Sequence, residues 1–204
     1  MSGGTQSTVW VVDDDAAVRR SLKRLLGASG YAVETFASAK ELLEAPAPAG
    51  PACLVLDVRM PGMTGPQLFD RMAESGLAMA VVFLTGYGDV PTGVRAMKGG
   101  AVDFLLKPVD GDALLRAVGI AVARDAARLA HAVEQEEIRG RLRALSPRER
   151  QVLADVVRGL PNKLTAADLG ISEKTVKVHR HRIMAKTGVG SLAELVRLVD
   201  ASRP

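Results

Sequence analysis

The sequence is poor in the residues that build several kinds of site. Its one cysteine, Cys53, can form no internal disulfide and no multi-thiolate metal centre. Its three histidines, His131, His179 and His181, all lie in the C-terminal part of the chain, which argues against a histidine-rich metal site. Any metal must therefore be held by oxygen. No uncharged apolar run approaches the ~20 residues of a membrane span. Residues 1–8 lack the basic start and apolar core of a secretory signal, so a cytoplasmic protein without membrane attachment is expected. Aromatics make up 3% of the chain and are missing from residues 145–204, which argues against a reader that stacks single-stranded bases or RNA there.

What is present is ordinary for a globular chain: 204 residues, 48% hydrophobic and 25% charged, room for one large domain or two small ones. The net charge of +4 is unevenly placed. Residues 1–120 carry 11 Lys/Arg against 13 Asp/Glu, whereas residues 121–204 carry 16 against 10. A mildly acidic domain joined to a nucleic-acid reader has this asymmetry, and so does a domain with a solvated basic face.

Short apolar runs at 8–12, 32–36, 53–56, 80–84 and 103–106 alternate with helical periodicity, as in Val18, Leu22, Leu25 and Leu26, or Leu114, Leu115, Val118 and Val122. Five such units in about 120 residues predict a parallel sheet with helices on both faces, because parallel strands require crossovers and near-continuous apolar strands are buried twice. Residues 123–143, rich in Ala, Arg and Glu, read as a partly exposed helical linker. Ser146-Pro147-Arg148-Glu149 then combines an N-cap serine, a proline at the first helical position and a capping-box glutamate. Further helix starts at Asn162, Ser172 and Ser191, with Gly159, Gly170 and Gly188 near the stops, predict four short helices. The expected organisation is 1–122, a linker at 123–142, and 143–204.

In a doubly wound sheet, ligands sit at the carboxyl ends of the strands. Asp13-Asp14-Asp15 follow the first strand, Asp57 the third, Thr85 the fourth and Lys107 the fifth. Each acid taken alone fits a helix N-cap equally well. Converging carboxylates repel unless a cation neutralises them, and an all-oxygen cluster suits Mg²⁺.

Together, Val12-Asp13-Asp14-Asp15, the run from Asp57 to Gly65, Thr85-Gly86 and Lys107-Pro108 resemble the receiver domain of two-component response regulators. The resemblance implies that Asp57 accepts a phosphoryl group from a histidine kinase. It also implies that Asp14, Asp57 and the main-chain carbonyl of Arg59 bind Mg²⁺, with Asp13 acting mainly through water. Lys107 would pair with the phosphoryl oxygens, Thr85 would be the switch hydroxyl and Phe104 the switch aromatic. The Lys107–Pro108 peptide is a candidate cis bond. Arg59 and Tyr87, two residues beyond Asp57 and Thr85, are expected to shield the phosphoryl from water. A phosphatase of the haloacid dehalogenase type would carry a second acid two residues after its nucleophile; that position is Arg59, which disfavours a turnover enzyme.

In the tail, two helices around Gly170-Ile171 imply a helix-turn-helix. On the second, Lys174, Lys177, Val178 and His181 share one face, Arg182 and Lys186 lie near its edge, and Val176, Ile183 and Thr187 lie opposite. The stretches from Leu145 to Arg150, Gly159 to Lys163 and Ile171 to Arg180 resemble the LuxR-type helix-turn-helix, and the whole chain is similar to FixJ/NarL-type transcriptional regulators. By that resemblance Lys177, Val178 and His181 approach base edges of double-stranded promoter DNA, while Lys174, Thr175, His179 and Arg182 approach phosphates. The resemblance also implies a phosphorylation-dependent homodimer with contacts at Val94 and Lys98, and RNA polymerase as a partner. Thr165 departs from the pattern: a large aliphatic residue is usual there, so a rotated or less well packed scaffold helix is expected. Two other readings fit the residues less fully: a DNA-binding dimer that is never phosphorylated, and a signalling protein whose tail binds a protein.

Overall fold

The computed structural model describes residues 6–86 and 97–202. Five parallel strands, β1 (Thr8–Val12), β2 (Ala32–Phe36), β3 (Ala52–Asp57), β4 (Ala80–Thr85) and β5 (Asp103–Leu106), form one sheet in the order β2-β1-β3-β4-β5. The strands are those expected, with β3 and β4 extended to take in Asp57 and Thr85. The crossover helices α1 (Ala16–Ala28), α2 (Ala39–Glu44), α3 (Gly65–Glu74) and the first part of α4 (Gly111–Arg143) cover both faces.

The period of two along each strand decides which face a side chain serves. Trp10, Val12, Leu54, Leu56 and Phe83 point to the side of α2 and α3, where Leu42, Leu68 and Met72 complete one core. Val9, Val11, Cys53, Val55, Val82 and Leu84 point the other way, against Leu22 and Leu26 of α1 and Leu114, Ala117, Val118 and Ala121 of α4. Cys53 is fully buried, and burial pushes its thiol far above the usual range. It is a packing residue rather than a nucleophile.

The chain steps to one side from β1 to β2 and then crosses back past β1 to β3, so the carboxyl ends of β1 and β3 sit side by side at the reversal point. Gly65 lets α3 begin directly beneath that edge. Its N–H donates to the Val58 carbonyl at 3.0 Å, and a Cβ on this residue would collide with the Asp57 carbonyl. Thr64 caps the helix with a capping box through Gln67.

The chain divides into two compact units, 1–129 and 130–204, whose boundary falls inside α4. This helix runs unbroken from Gly111 to Arg143, so the stretch read as a linker is a continuation of the helix that packs on the sheet. No proline occurs in it, and no glycine falls between Gly119 and Gly140. In the first unit the buried Asp125 accepts hydrogen bonds from the Ala52 N–H (2.9 Å) and from Arg128 Nε (2.8 Å), tying α4 to the start of β3. No described helix is long and apolar enough to cross a membrane.

The second unit holds α5 (Pro147–Val157), α6 (Asn162–Leu169), α7 (Glu173–Thr187) and α8 (Leu192–Ala201). Ser146, Ser172 and Ser191 cap α5, α7 and α8, whereas α6 starts after Pro161 with no side-chain cap. Gly170 and Gly188 end α6 and α7 in the left-handed conformation that only glycine adopts cheaply. Leu145, Val152, Val156, Ala166, Val176, Ile183 and Leu195 form the core.

Thr165 is wholly buried and its hydroxyl has no hydrogen-bond partner, while neighbouring Leu164 is 50% exposed. The departure noted in the sequence thus leaves a buried polar atom without a hydrogen-bond partner. Thr165→Val removes that atom at nearly constant shape and should stabilise the second unit by about 1 to 2 kcal/mol. Urea unfolding followed through amide signals of α5 to α8 measures it; an unchanged or lowered midpoint would show that the hydroxyl is satisfied.

Candidate functional site

The strand ends bring Asp13, Asp14 and Asp57 together, one carboxylate oxygen of each lying within 4.8 Å of the others. Asp13 and Asp57 are buried and Asp14 is exposed. Lys107 reaches in from the end of β5, its Nζ 2.6 Å from Asp13 Oδ2 and 2.8 Å from Asp57 Oδ2. The remaining oxygens are also held: Asp15 N–H donates to Asp13 Oδ1 at 2.9 Å and Arg59 N–H to Asp57 Oδ1 at 3.3 Å. Burial raises the Asp57 carboxyl above the usual range, partly opposed by the bond from Lys107. Burial also works against the Lys107 charge, but its bonds to Asp13 and Asp57 outweigh that and hold the ammonium above its ordinary value.

Thr85 is fully buried, its hydroxyl donating to the Gly86 carbonyl at 3.1 Å, and its own carbonyl accepts from the Lys107 N–H at 2.6 Å. The Lys107–Pro108 peptide is cis. Phe104 is half-buried, its ring tilted against Phe83 at 6.3 Å, and Phe83 in turn meets Phe69 edge-on at 5.8 Å. Lys98 is exposed. Val94 and Tyr87 lie outside the described residues.

Sequence reasoning did not single out Arg19. Half-buried on α1, it donates from Nη1 to the Asp13 carbonyl at 2.6 Å and so pins the main chain beneath the acidic cluster. The i, i+6 spacing from Asp13 to Arg19 crosses a strand end and a helix start, which no helical periodicity marks.

In the second unit, Lys174, Lys177, Val178, His181 and Arg182 are exposed on α7, while Val176, Ile183 and Thr187 are buried. Two further residues expected at phosphates are less exposed. Thr175 is half-buried with its hydroxyl 2.9 Å from that of Ser172, and His179 is half-buried with Nδ1 enclosed and unpartnered. Arg180 donates to Asn162 Oδ1 at 3.1 Å, joining α7 to α6, and Arg148 donates to the Leu169 carbonyl at the end of α6. Lys186 is also exposed, but its Nζ is engaged within the domain: it donates to Glu149 Oε2 at 2.8 Å and to the Ala144 carbonyl at 3.3 Å.

Residues 9–119 match the model of the response regulator receiver domain, and residues 143–199 that of the luxR family of bacterial regulatory proteins. The chain belongs to the response regulator family. It is 48% identical to the transcriptional regulatory protein FixJ of Azorhizobium caulinodans over 190 residues, covering 93% of this chain and 90% of that one. Among solved structures it is similar to the response regulator StyR (TM-score 0.86, 46% identity, 96% of this chain and 99% of that one). It is also similar to full-length FixJ from B. japonicum (TM-score 0.60, 41% identity, 98% of each chain).

This response regulator therefore joins a receiver of the two-component system to a LuxR-type DNA-binding domain, and it is a transcription regulator rather than a typical enzyme. Its acidic cluster lies within the receiver match and the cationic face of α7 within the LuxR-type match.

The bond from Lys186, reinforced by the Ser146 N–H, holds the Glu149 carboxyl down to about 2. Because the folded-state value lies below the unfolded one, the support is complete above the ordinary carboxylate range and is lost as pH falls toward 2. A carboxyl-carbon NMR titration of the full chain should give Glu149 a midpoint near 2. A midpoint in the usual glutamate range would mean that the pair is not formed in solution.

Proposed function

We propose that this response regulator is a phosphorylation-dependent transcriptional regulator of the cytoplasm, with receiver 1–122, linker 123–142 and DNA-binding domain 143–204. The observation that carries the reading is the Asp57 carboxylate, buried at the end of β3, paired with Lys107 and adjoined by Asp13 and Asp14. In the transfer, an Asp57 oxygen attacks phosphorus in line. The bond to the histidine of the kinase breaks, and its electron pair leaves on the imidazole.

The donor set fits Mg²⁺. Among the described residues, three carboxylates face one ammonium, which leaves an excess of two negative charges on these hard oxygen ligands. Asp14, Asp57 and the main-chain carbonyl of Arg59 would hold the ion, with Asp13 acting through water. When bound, it would supply charge neutralisation for the phosphoryl oxygens. The residues of the chain do the rest. Lys107 shifts its bond from the Asp57 carboxylate to a phosphoryl oxygen, so that positioning and electrostatics carry the reaction. Arg59 N–H, already on Asp57 Oδ1, fixes the orientation of the nucleophile.

The added phosphoryl charge and acceptor oxygens draw the Thr85 hydroxyl, and Phe104 moves inward behind it. The surface so altered promotes a homodimer through Val94 and Lys98. Two DNA-binding domains then engage two half-sites about one helical turn apart, where their joint binding raises avidity without new base contacts. On α7, Lys177, Val178 and His181 read base edges, and Lys174, Thr175, His179 and Arg182 contact phosphates. RNA polymerase at the promoter is the downstream partner.

Acetyl phosphate with Mg²⁺ should label the wild-type chain on a single aspartyl residue. Asp57→Ala should abolish the label, and a chelator should abolish it in the wild type. Equal mass shifts in wild type and Asp57→Ala would remove Asp57 from the reaction, and full labelling in excess chelator would remove Mg²⁺.

A further inference from the structure

The cationic character of α7 is not all directed outward. Of its five Lys/Arg, Lys186 sits in the last turn, and although its side chain is 41% exposed its ammonium is held by two acceptors of the same domain. One is the Glu149 carboxylate in the first turn of α5, whose side chain is 4% exposed and which also accepts the Ser146 N–H at 2.8 Å. The other is the Ala144 carbonyl, directly after the end of α4. At the same end, Arg141 Nη1 lies 3.4 Å from the Thr187 carbonyl, and Leu145 is buried in the core on which α7 packs. One ammonium thus joins three pieces of backbone: the C-terminus of α7, the N-terminus of α5 and the end of the linker helix. Turning it toward DNA would leave a buried carboxylate without a counter-charge, a cost that a single phosphate contact does not repay.

We infer that Lys186 is a positioning residue for base reading, fixing through Glu149 and the Ala144 carbonyl the angle at which α7 enters the groove. This rests on the DNA-binding role proposed above and deepens it. The reading residues, Lys177, Val178 and His181, lie about two turns upstream on the same helix, so a tilt at its C-terminal anchor displaces them relative to base edges. Base readout depends on sub-ångström placement, whereas phosphate contact through long, exposed side chains tolerates a small tilt. Loss of the anchor should therefore erase discrimination between sequences while leaving the number of neutralised phosphates unchanged.

The test uses the full chain and two labelled duplexes. One is a duplex that the wild type enriches from a randomised library, the other a scrambled duplex of the same composition. Affinity for each is measured across a series of KCl concentrations by fluorescence anisotropy, well below the melting temperature. Lys186→Met, which keeps the aliphatic stem, should lower the ratio of the two affinities about tenfold with no change in salt slope. Lys174→Ala is the comparison: it should weaken both duplexes alike and reduce the slope by about one. Lys186→Arg, which restores charge and donors, should restore discrimination.

A Lys186→Met protein that loses about one in slope but keeps its discrimination would make Lys186 a phosphate contact and overturn the inference. Unchanged discrimination with unchanged slope would overturn it too. Should Lys186→Met not fold, Glu149→Gln enters the same assay beside Lys186→Arg. Loss of discrimination in the first with retention in the second supports the role, and retention in Glu149→Gln overturns it. Failure of the wild type to enrich any duplex would overturn the DNA-binding reading itself, a result distinct from either of these.

Discussion

Among the described residues, three carboxylates meet at one sheet edge with one ammonium bonded to two of them, and the charge left over is the constraint on which the receiver depends. Asp13 and Asp57 are buried, so neither charge is well solvated by water, and Lys107 bonds to both. The ammonium cannot balance three acids. The site is therefore short of positive charge, the condition in which an all-oxygen cluster could hold a divalent cation.

The backbone pays attention to this edge at several places. The reversal of winding between β1 and β3 sets Asp13 beside Asp57, and Gly65 allows α3 to start against the Asp57 carbonyl. Arg19 holds the Asp13 carbonyl from α1. At the other end of β3, the Ala52 N–H is held by Asp125 of α4. The strand that carries Asp57 is thus fixed at both ends, one of them by α4.

Much of this was legible in the sequence. Alternating apolar runs located all five strands, because strands buried on both faces leave little room for polar residues. Serine caps and the glycines after α6 and α7 marked helix ends, since unsatisfied backbone groups and a positive φ each demand a particular residue. Convergence of Asp13, Asp14, Asp57, Thr85 and Lys107 followed from the strand-end rule once the elements were placed. What stayed hidden were pairings between side chains far apart in sequence. Asp125 with Ala52, Lys186 with Glu149, and Arg180 with Asn162 leave no periodic trace, and a lysine in a cationic helix looks like any other until its partner is seen. The linker looked like a separate element because its composition changes, yet composition does not end a helix; α4 runs through.

The account stands or falls on whether charge added at Asp57 changes what α7 does. The direct measurement is the affinity of the full-length chain for its selected duplex before and after treatment with acetyl phosphate and Mg²⁺, with Asp57→Ala as control. Phosphorylation should tighten binding on the order of 100-fold by joining two DNA-binding domains, and Asp57→Ala should not respond. Equal affinity of the phosphorylated and unphosphorylated wild type would contradict the coupling at its root.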